Sequence, residues 1–178
     1  MNRLKRAVAA ATAVAAAALI PLTAAPAGAA TGPATHLGMT WTVLATGPEG
    51  TVQVGVGTSG NAYSGDTAPS VSLPVLCLKV DGSPAPAGIS LSYYTGWAQG
   101  TVALSQPVLG ARLNSRAAAD SVCQASFGSG WREAEFRDGR YGPDLSQTGC
   151  WTFWAYGNIP NSTRFWTAIN DQPANPWD

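Results

Sequence analysis

Two carboxylates spaced two residues apart, Glu133 and Glu135 in the stretch WREAEF, are the side chains whose type and spacing best suit acid–base chemistry. On a strand both point to the same side, with Arg137 next along. A glycoside hydrolase needs such a pair, one group as acid and one as base or nucleophile. Strand neighbours of this kind lie about 7 Å apart, and like charges so placed more often form a solvated face balanced by arginines. Ala134 and Phe136 would then turn inward. The pair therefore supports a structural face and, as an alternative, a glycan or cell-wall hydrolase using Glu133 or Glu135.

Other nucleophile and metal signatures are sparse. The single histidine, His36, leaves no His-rich zinc site, and the spacing of Cys77, Cys123 and Cys150 fits no zinc module. A Ser-His-Asp triad would have to recruit His36 without a G-x-S-x-G elbow to support it. Asp138, Asp144, Asn170 and Asp171 are oxygen donors, but no twelve-residue calcium loop contains them. No metal and no cofactor is expected. In an oxidising compartment three cysteines form one disulfide and leave an odd thiol. Cys77 with Cys123, strand to helix, is the preferred pairing, because Cys150 sits between Gly149 and Trp151 where a turn meets an aromatic strand; Cys123 with Cys150 is the alternative.

Flat rings beside short polar side chains offer recognition chemistry instead. They concentrate in CWTFWAYGN (150–158) and in the last fifteen residues, RFWTAINDQPANPWD. Alternation puts Trp151, Phe153 and Ala155 on one face and Trp154, Tyr156 and Asn158 on the other; it sets Phe165, Thr167 and Ile169 against Trp166, Ala168 and Asn170. If the two strands pair, Trp154, Tyr156 and Trp166 make a plate edged by Asn158, Asn170, Asp171 and Asn175. Rings stack on sugar faces and amides fix hydroxyl groups. The competing use of the same rings is to fill the core.

The elements that would hold these residues are mostly strands. TWTVLAT (40–46) and TVQVGVG (51–57) alternate around GPEG and predict a hairpin. The polar, glycine-rich stretch 58–74 reads as a long functional or mobile loop. Strands follow at 75–80, 89–94 and 101–110, the last ended or pushed to an edge by Pro107. A single amphipathic helix spans LNSRAAADSVCQASFG (113–128), with Ser115 as cap and Gly128 as stop. A short strand in GWREAEFRDG then precedes the two aromatic strands, joined by IPNS. The expected fold is α+β, sheet-dominated, a single domain with one main helix.

The N-terminus places the protein. Arg3, Lys5 and Arg6 precede an alanine-rich run, Pro21 and an A-x-A site at Ala27 and Ala29, the layout of a signal peptide over 1–29, so residues 30–178 form a single secreted domain. Three of the ten basic residues and none of the ten acidic ones lie in that leader, which leaves 30–178 with a net charge of about −3. No basic stripe remains for nucleic acid, and no membrane association is expected after cleavage.

A helix carrying Ala119 and Cys123, then Gly128, WAYGNIPN (154–161), RFWTAIND and a final PWD resembles the landmark order of C-type lectin-like domains over residues 113–178. The resemblance implies a lectin-like fold and sugar recognition, with QPAN (172–175) where such domains carry a sugar-selecting tripeptide. Pro176 stands where their terminal cysteine would pair, and there is no W-I-G-L block. GWREAEFRDG, FWAYGNI and RFWTAINDQPANPWD are also similar to a group of small exported bacterial proteins, some labelled as hook-length control; that role suits a long low-complexity ruler rather than an aromatic-rich chain of this length. The reading is a secreted module that binds glycan or cell-envelope material, with a structural or protein-interaction role in the envelope as a further alternative.

Overall fold

The computed structural model describes residues 32–178; the proposed leader and its cleavage site lie outside them. β1 (Thr40–Thr46) and β2 (Thr51–Gly55) form the expected hairpin, with Val43 opposite Val54 and the register shifted by a bulge between Val43 and Ala45. Trp41, Val52 and Val54 are buried on its inner face, as the period-2 pattern requires. The loop after β2 runs in turns to β3 (Ser72–Leu73), which pairs β6 (Val108–Leu109) in a small separate ladder.

β4 (Leu76–Val80) pairs antiparallel with β5 (Gly96–Leu104). Here the structure departs from the sequence-based reading twice. Residues 89–94 form no strand; Ser92 and Thr95 close a turn on each other, and the strand starts at Gly96. Glycine hid that strand, yet Gly96 is required, because a Cβ there would lie 2.4 Å from the backbone of Gly139. The stretch 101–110 is not one strand either: it divides at Pro107 into the end of β5 and β6, since proline cannot donate to a ladder.

α1 (Arg116–Phe127) begins where Ser115 Oγ accepts the Ala118 N–H and stops at Gly128, whose φ of 94° suits glycine. Its buried face, Ala119 and Cys123, lies on β4, and Cys123 is bonded to Cys77 with an S–S distance of 2.01 Å. β7 (Arg132–Glu133), β8 (Arg140–Tyr141), β9 (Gln147–Thr148), β10 (Thr152–Tyr156) and β11 (Arg164–Trp166) complete the chain. The main sheet runs β11-β1-β2-β10-β5-β4-β7, with β8 and β9 attached beside β5; β10 and β5 are parallel and the other pairs antiparallel. The architecture is α+β and sheet-dominated, with one α-helix among the described residues.

The aromatic strands β10 and β11 are not neighbours. β1 and β2 lie between them, so the connection 157–163 passes the hairpin turn, where the Gly157 N–H donates to the Gly50 carbonyl. Two cores result. Trp41, Val54, Leu76, Phe153 and Phe165 fill the larger one, and Val75, Cys77, Leu113, Cys123 and Trp166 the smaller one under α1. No described helix is long and apolar enough to cross a membrane.

Candidate functional site

The expected plate of Trp154, Tyr156 and Trp166 does not assemble. Trp154 and Tyr156 lie half-buried on the outer face of β10, opposite Gln53 and Thr51, and Asn158 is exposed just beyond. Tyr156 stands edge-on to buried Trp97 at 5.1 Å and donates its hydroxyl to the Pro84 carbonyl. Trp166 is only 1% exposed and donates its indole N–H to the Val108 carbonyl, inside the smaller core. Both faces of β11 are covered, one by the main core and one by the layer that includes α1, so its ring has no open side. Asn175 is buried as well: its Oδ1 accepts the Ile169 N–H at 2.9 Å and its Nδ2 donates to the Ile169 carbonyl at 2.7 Å. It closes the C-terminal turn. Asn170 is exposed, while its backbone N–H is held by Glu135.

Glu133 and Glu135 are both buried rather than solvated. Glu133 pairs with Cys77 across the β4–β7 ladder, on the side facing α1, near Arg116 and Asp120. Burial pushes its carboxyl up to about 8, against the opposing pull of Arg116. Glu135 accepts the backbone N–H groups of Arg137 and Asn170 at 2.7 and 3.2 Å; burial raises it too, partly offset by those bonds. Partly exposed arginines, Arg116 and Arg132, do flank Glu133, but the carboxylates themselves lie inside the fold rather than on the expected solvated face.

A different set of rings forms the concave site. Trp151 precedes β10 with φ of 75°, in the left-handed region that a bulky aromatic residue rarely occupies. The backbone there is fixed from both sides: the Cys150 N–H donates to the Tyr93 carbonyl at 2.8 Å, and the Trp151 carbonyl accepts from Val56 at 3.2 Å. So held, the indole meets Phe136 edge-on at 5.3 Å and Tyr63 at 6.1 Å. These rings, with Tyr93, Cys150, Ile169 and Gln172, line a pocket of about 150 Å³. A cavity of roughly that volume holds one benzene-sized ring.

Its polar groups come from loops. Arg137 packs over the Phe136 ring at 5.6 Å and donates through Nε and Nη2 to Asp171 Oδ2, the former at 2.9 Å. The buried Cys150 thiol, not in a disulfide, lies beside the Tyr93 hydroxyl and pushes that phenol above its ordinary value, while Arg137 pulls the other way. Asp171 balances Arg137, which leaves the mouth close to neutral, with a phenol, an amide and the guanidinium edge as hydrogen-bonding groups. Neither Glu133 nor Glu135 lines the pocket.

Of the seven residues expected to bind ligand, this site includes only Asp171, through its ion pair with Arg137. Sequence reasoning placed Trp151 on one face with Phe153 by alternation, and the half-buried ring does pack against the main core that holds Phe153 and Phe136. What alternation did not show is the positive φ at 151 and the contact with Tyr63. Tyr63 lies in a loop without periodicity, its one signal an aromatic residue inside the glycine- and serine-rich GNAYSG; Tyr93 falls within the expected strand over 89–94, whereas it lies in a turn. Among the described residues no cluster of three or more His, Cys, Asp or Glu side chains suits a metal ion. The chain matches no family model, no curated protein and no solved structure.

Proposed function

We propose that this chain is a secreted binding module that recognises glycan or cell-envelope material by taking one sugar ring into the Trp151–Tyr93–Tyr63 pocket. The observation that carries the reading is the left-handed backbone of Trp151. A conformation of this kind costs about 1–3 kcal/mol and persists where the surrounding structure over-determines it, as it does at ligand clamps. The ring so displayed offers a flat apolar face, and the Gln172 amide, the Tyr93 hydroxyl and the Arg137 edge are suited to hydroxyl or acyl oxygens. The near-neutral mouth favours an uncharged sugar over an ion.

The test is titration of residues 30–178 with glucose, N-acetylglucosamine and purified cell wall, followed by tryptophan fluorescence and pull-down. Binding should fall about tenfold or more in Trp151→Gly and change little in Trp154→Ala. Equal binding by wild type and Trp151→Gly would overturn the pocket; loss confined to Trp154→Ala would move recognition to the outer face of β10. The hydrolase reading draws less support, because both carboxylates are buried in the fold and neither lines the pocket.

A further inference from the structure

The cavity beside Trp151 has room for one ring, yet the exposed aromatic surface continues past it. Among the described residues four aromatic side chains stand exposed: Tyr63, Tyr93, Tyr94 and Phe127. Tyr63 and Tyr93 line the cavity, and Tyr94 stands edge-on to Tyr93 with ring centroids 5.0 Å apart. Tyr141 on β8 packs against the same Tyr93 ring at 6.1 Å. Neither Tyr94 nor Tyr141 lines the cavity, so Tyr93 is a wall shared between it and a second group of rings.

Backbone bonds hold these rings to the cavity. The turn closed by Ser92 and Thr95 carries Tyr93 and Tyr94, and it is pinned on both sides of Trp151: the Tyr93 carbonyl accepts the Cys150 N–H at 2.8 Å, and the Tyr94 carbonyl accepts the Thr152 hydroxyl at 2.8 Å. The residues that flank the left-handed Trp151 therefore also set the tyrosine pair. Tyr141 arrives from β8, whose Arg140 pairs Trp97 on β5, and it shares a face of the β8–β9 ladder with the exposed Gln147. Tyr94 is 63% exposed, so its ring has an open face. A tyrosine held in this way offers a large, rigid contact at little cost in side-chain freedom, and rings contiguous with a cavity mark a ligand groove where single scattered ones do not.

We infer that the ligand is an oligosaccharide rather than a single sugar: one residue sits beside Trp151, the next lies over Tyr94 and Tyr141, and Tyr93 separates the two subsites. This second subsite rests on the reading of the Trp151 pocket as a sugar site. A volume of about 150 Å³ leaves no room for a second ring, so an oligosaccharide has to leave through the mouth. The 5.0 Å step from Tyr93 to Tyr94 is comparable to the advance of one pyranose along an extended glycan. Stacking on tyrosine faces needs no charge, in keeping with the near-neutral mouth, and the Gln147 amide suits a hydroxyl or acetamido group beside Tyr141. A proline-rich peptide would also lie on exposed tyrosines, but its rings carry no donors or acceptors for Gln172 and Arg137 inside the cavity.

The experiment is a length series: calorimetric titration of residues 30–178 with glucose, cellobiose and cellotriose, with N-acetylglucosamine, chitobiose and chitotriose, and with decaproline. In one of the two sugar series affinity should rise about tenfold from monosaccharide to trisaccharide. Tyr94→Ala should reduce the ratio of trisaccharide to monosaccharide affinity about three- to tenfold, and Tyr94→Phe should preserve it, because the ring rather than the hydroxyl makes the contact. Trp151→Gly should weaken every member of the series. Equal affinity for monosaccharide and trisaccharide, both weakened by Trp151→Gly, would overturn the second subsite and leave the pocket reading standing; so would an unchanged ratio in the variant with both Tyr94→Ala and Tyr141→Ala. Trisaccharide binding lost in Tyr94→Ala but untouched in Trp151→Gly would overturn the pocket reading and the two-subsite arrangement with it. Absence of saturable binding by any of these sugars, whether or not decaproline binds in their place, would overturn both.

Discussion

Trp151 stands edge-on to Phe136 with ring centroids 5.3 Å apart, from a backbone whose φ is 75°. The contact and the strain are linked, because the same left-handed turn that raises the backbone energy sets the indole across the pocket.

Replacing Trp151 separates the two effects. Glycine populates this region freely and alanine does not, so Trp151→Gly should be more stable than Trp151→Ala by about 1 kcal/mol, the reverse of the order in an ordinary helix or strand. Urea denaturation of both variants checks this. A glycine variant less stable than the alanine one would mean the turn at 151 is not held in the left-handed region.

Glu133 sets a pH dependence whose sign follows from burial. In the unfolded chain it ionises near the ordinary glutamate value of 4.5, whereas burial in the fold pushes it up to about 8. Below the lower value both states are protonated. Between the two the folded state holds the extra proton, so stability falls as pH rises through that window, by an amount on the order of a few kcal/mol. Glu135, raised in the same direction, adds to the slope. Glu133 Oε2 and Arg116 Nη1 are both buried without a hydrogen bond, so no charge-assisted bond between those atoms relieves the ionised form. Glu133→Gln should flatten the profile, raising stability at pH 8 relative to wild type and leaving pH 5 nearly unchanged. Guanidinium melts at the two pH values measure it; parallel profiles in both proteins would show that another group carries the slope.

The parts of the fold legible in the sequence are those where one physical rule acts alone. Alternation of Val52, Val54 and Trp41 specified the β1–β2 hairpin, and Ser115 with Gly128 bounded the helix to within a few residues, because capping is local. The strand at 96–104 was hidden by Gly96 and Gly100, whose value is the close approach of neighbouring backbones, invisible without the neighbours. Pairing of β10 with β11 was inferred from adjacency in sequence, whereas β2 and β5 offered Phe153 and Trp154 partners from elsewhere in the chain. For the same reason Trp166 and Asn175 read as surface residues: what buries the ring is a helix-side core, and what holds the amide is a turn closing on Ile169.

The bond between Cys77 and Cys123 closes a separation of 46 residues and ties α1 to β4. Restricting the unfolded chain over a loop of that length stabilises by roughly 4 kcal/mol in the chain-entropy model. The variant with both Cys77→Ala and Cys123→Ala should therefore lose about 2–4 kcal/mol. Cys150→Ser should not change migration on a non-reducing gel, because that thiol is outside the bridge. Peptide mapping that found Cys150 bonded to Cys123 would contradict the pairing.

Glu135 provides the sharpest contrast between a structural and a catalytic carboxylate. Its Oε2 accepts the Arg137 N–H and its Oε1 the Asn170 N–H, so one side chain fixes the segments that carry both partners of the Arg137–Asp171 ion pair. Glutamine retains a single acceptor and sets an NH₂ group against one of those donors. Glu135→Gln should lower stability by about 1–3 kcal/mol, the cost of an unsatisfied buried donor, and should weaken ligand binding by loosening Arg137 at the pocket mouth. A hydrolytic acid or base would behave oppositely, losing turnover on glycan substrates while the melting temperature and binding stayed near wild type. Differential scanning calorimetry beside a cell-wall release assay reads both quantities on one preparation. Unchanged melting with release abolished would restore the hydrolase; lowered melting with no release by either protein would leave Glu135 as the clamp that shapes the mouth of a binding site.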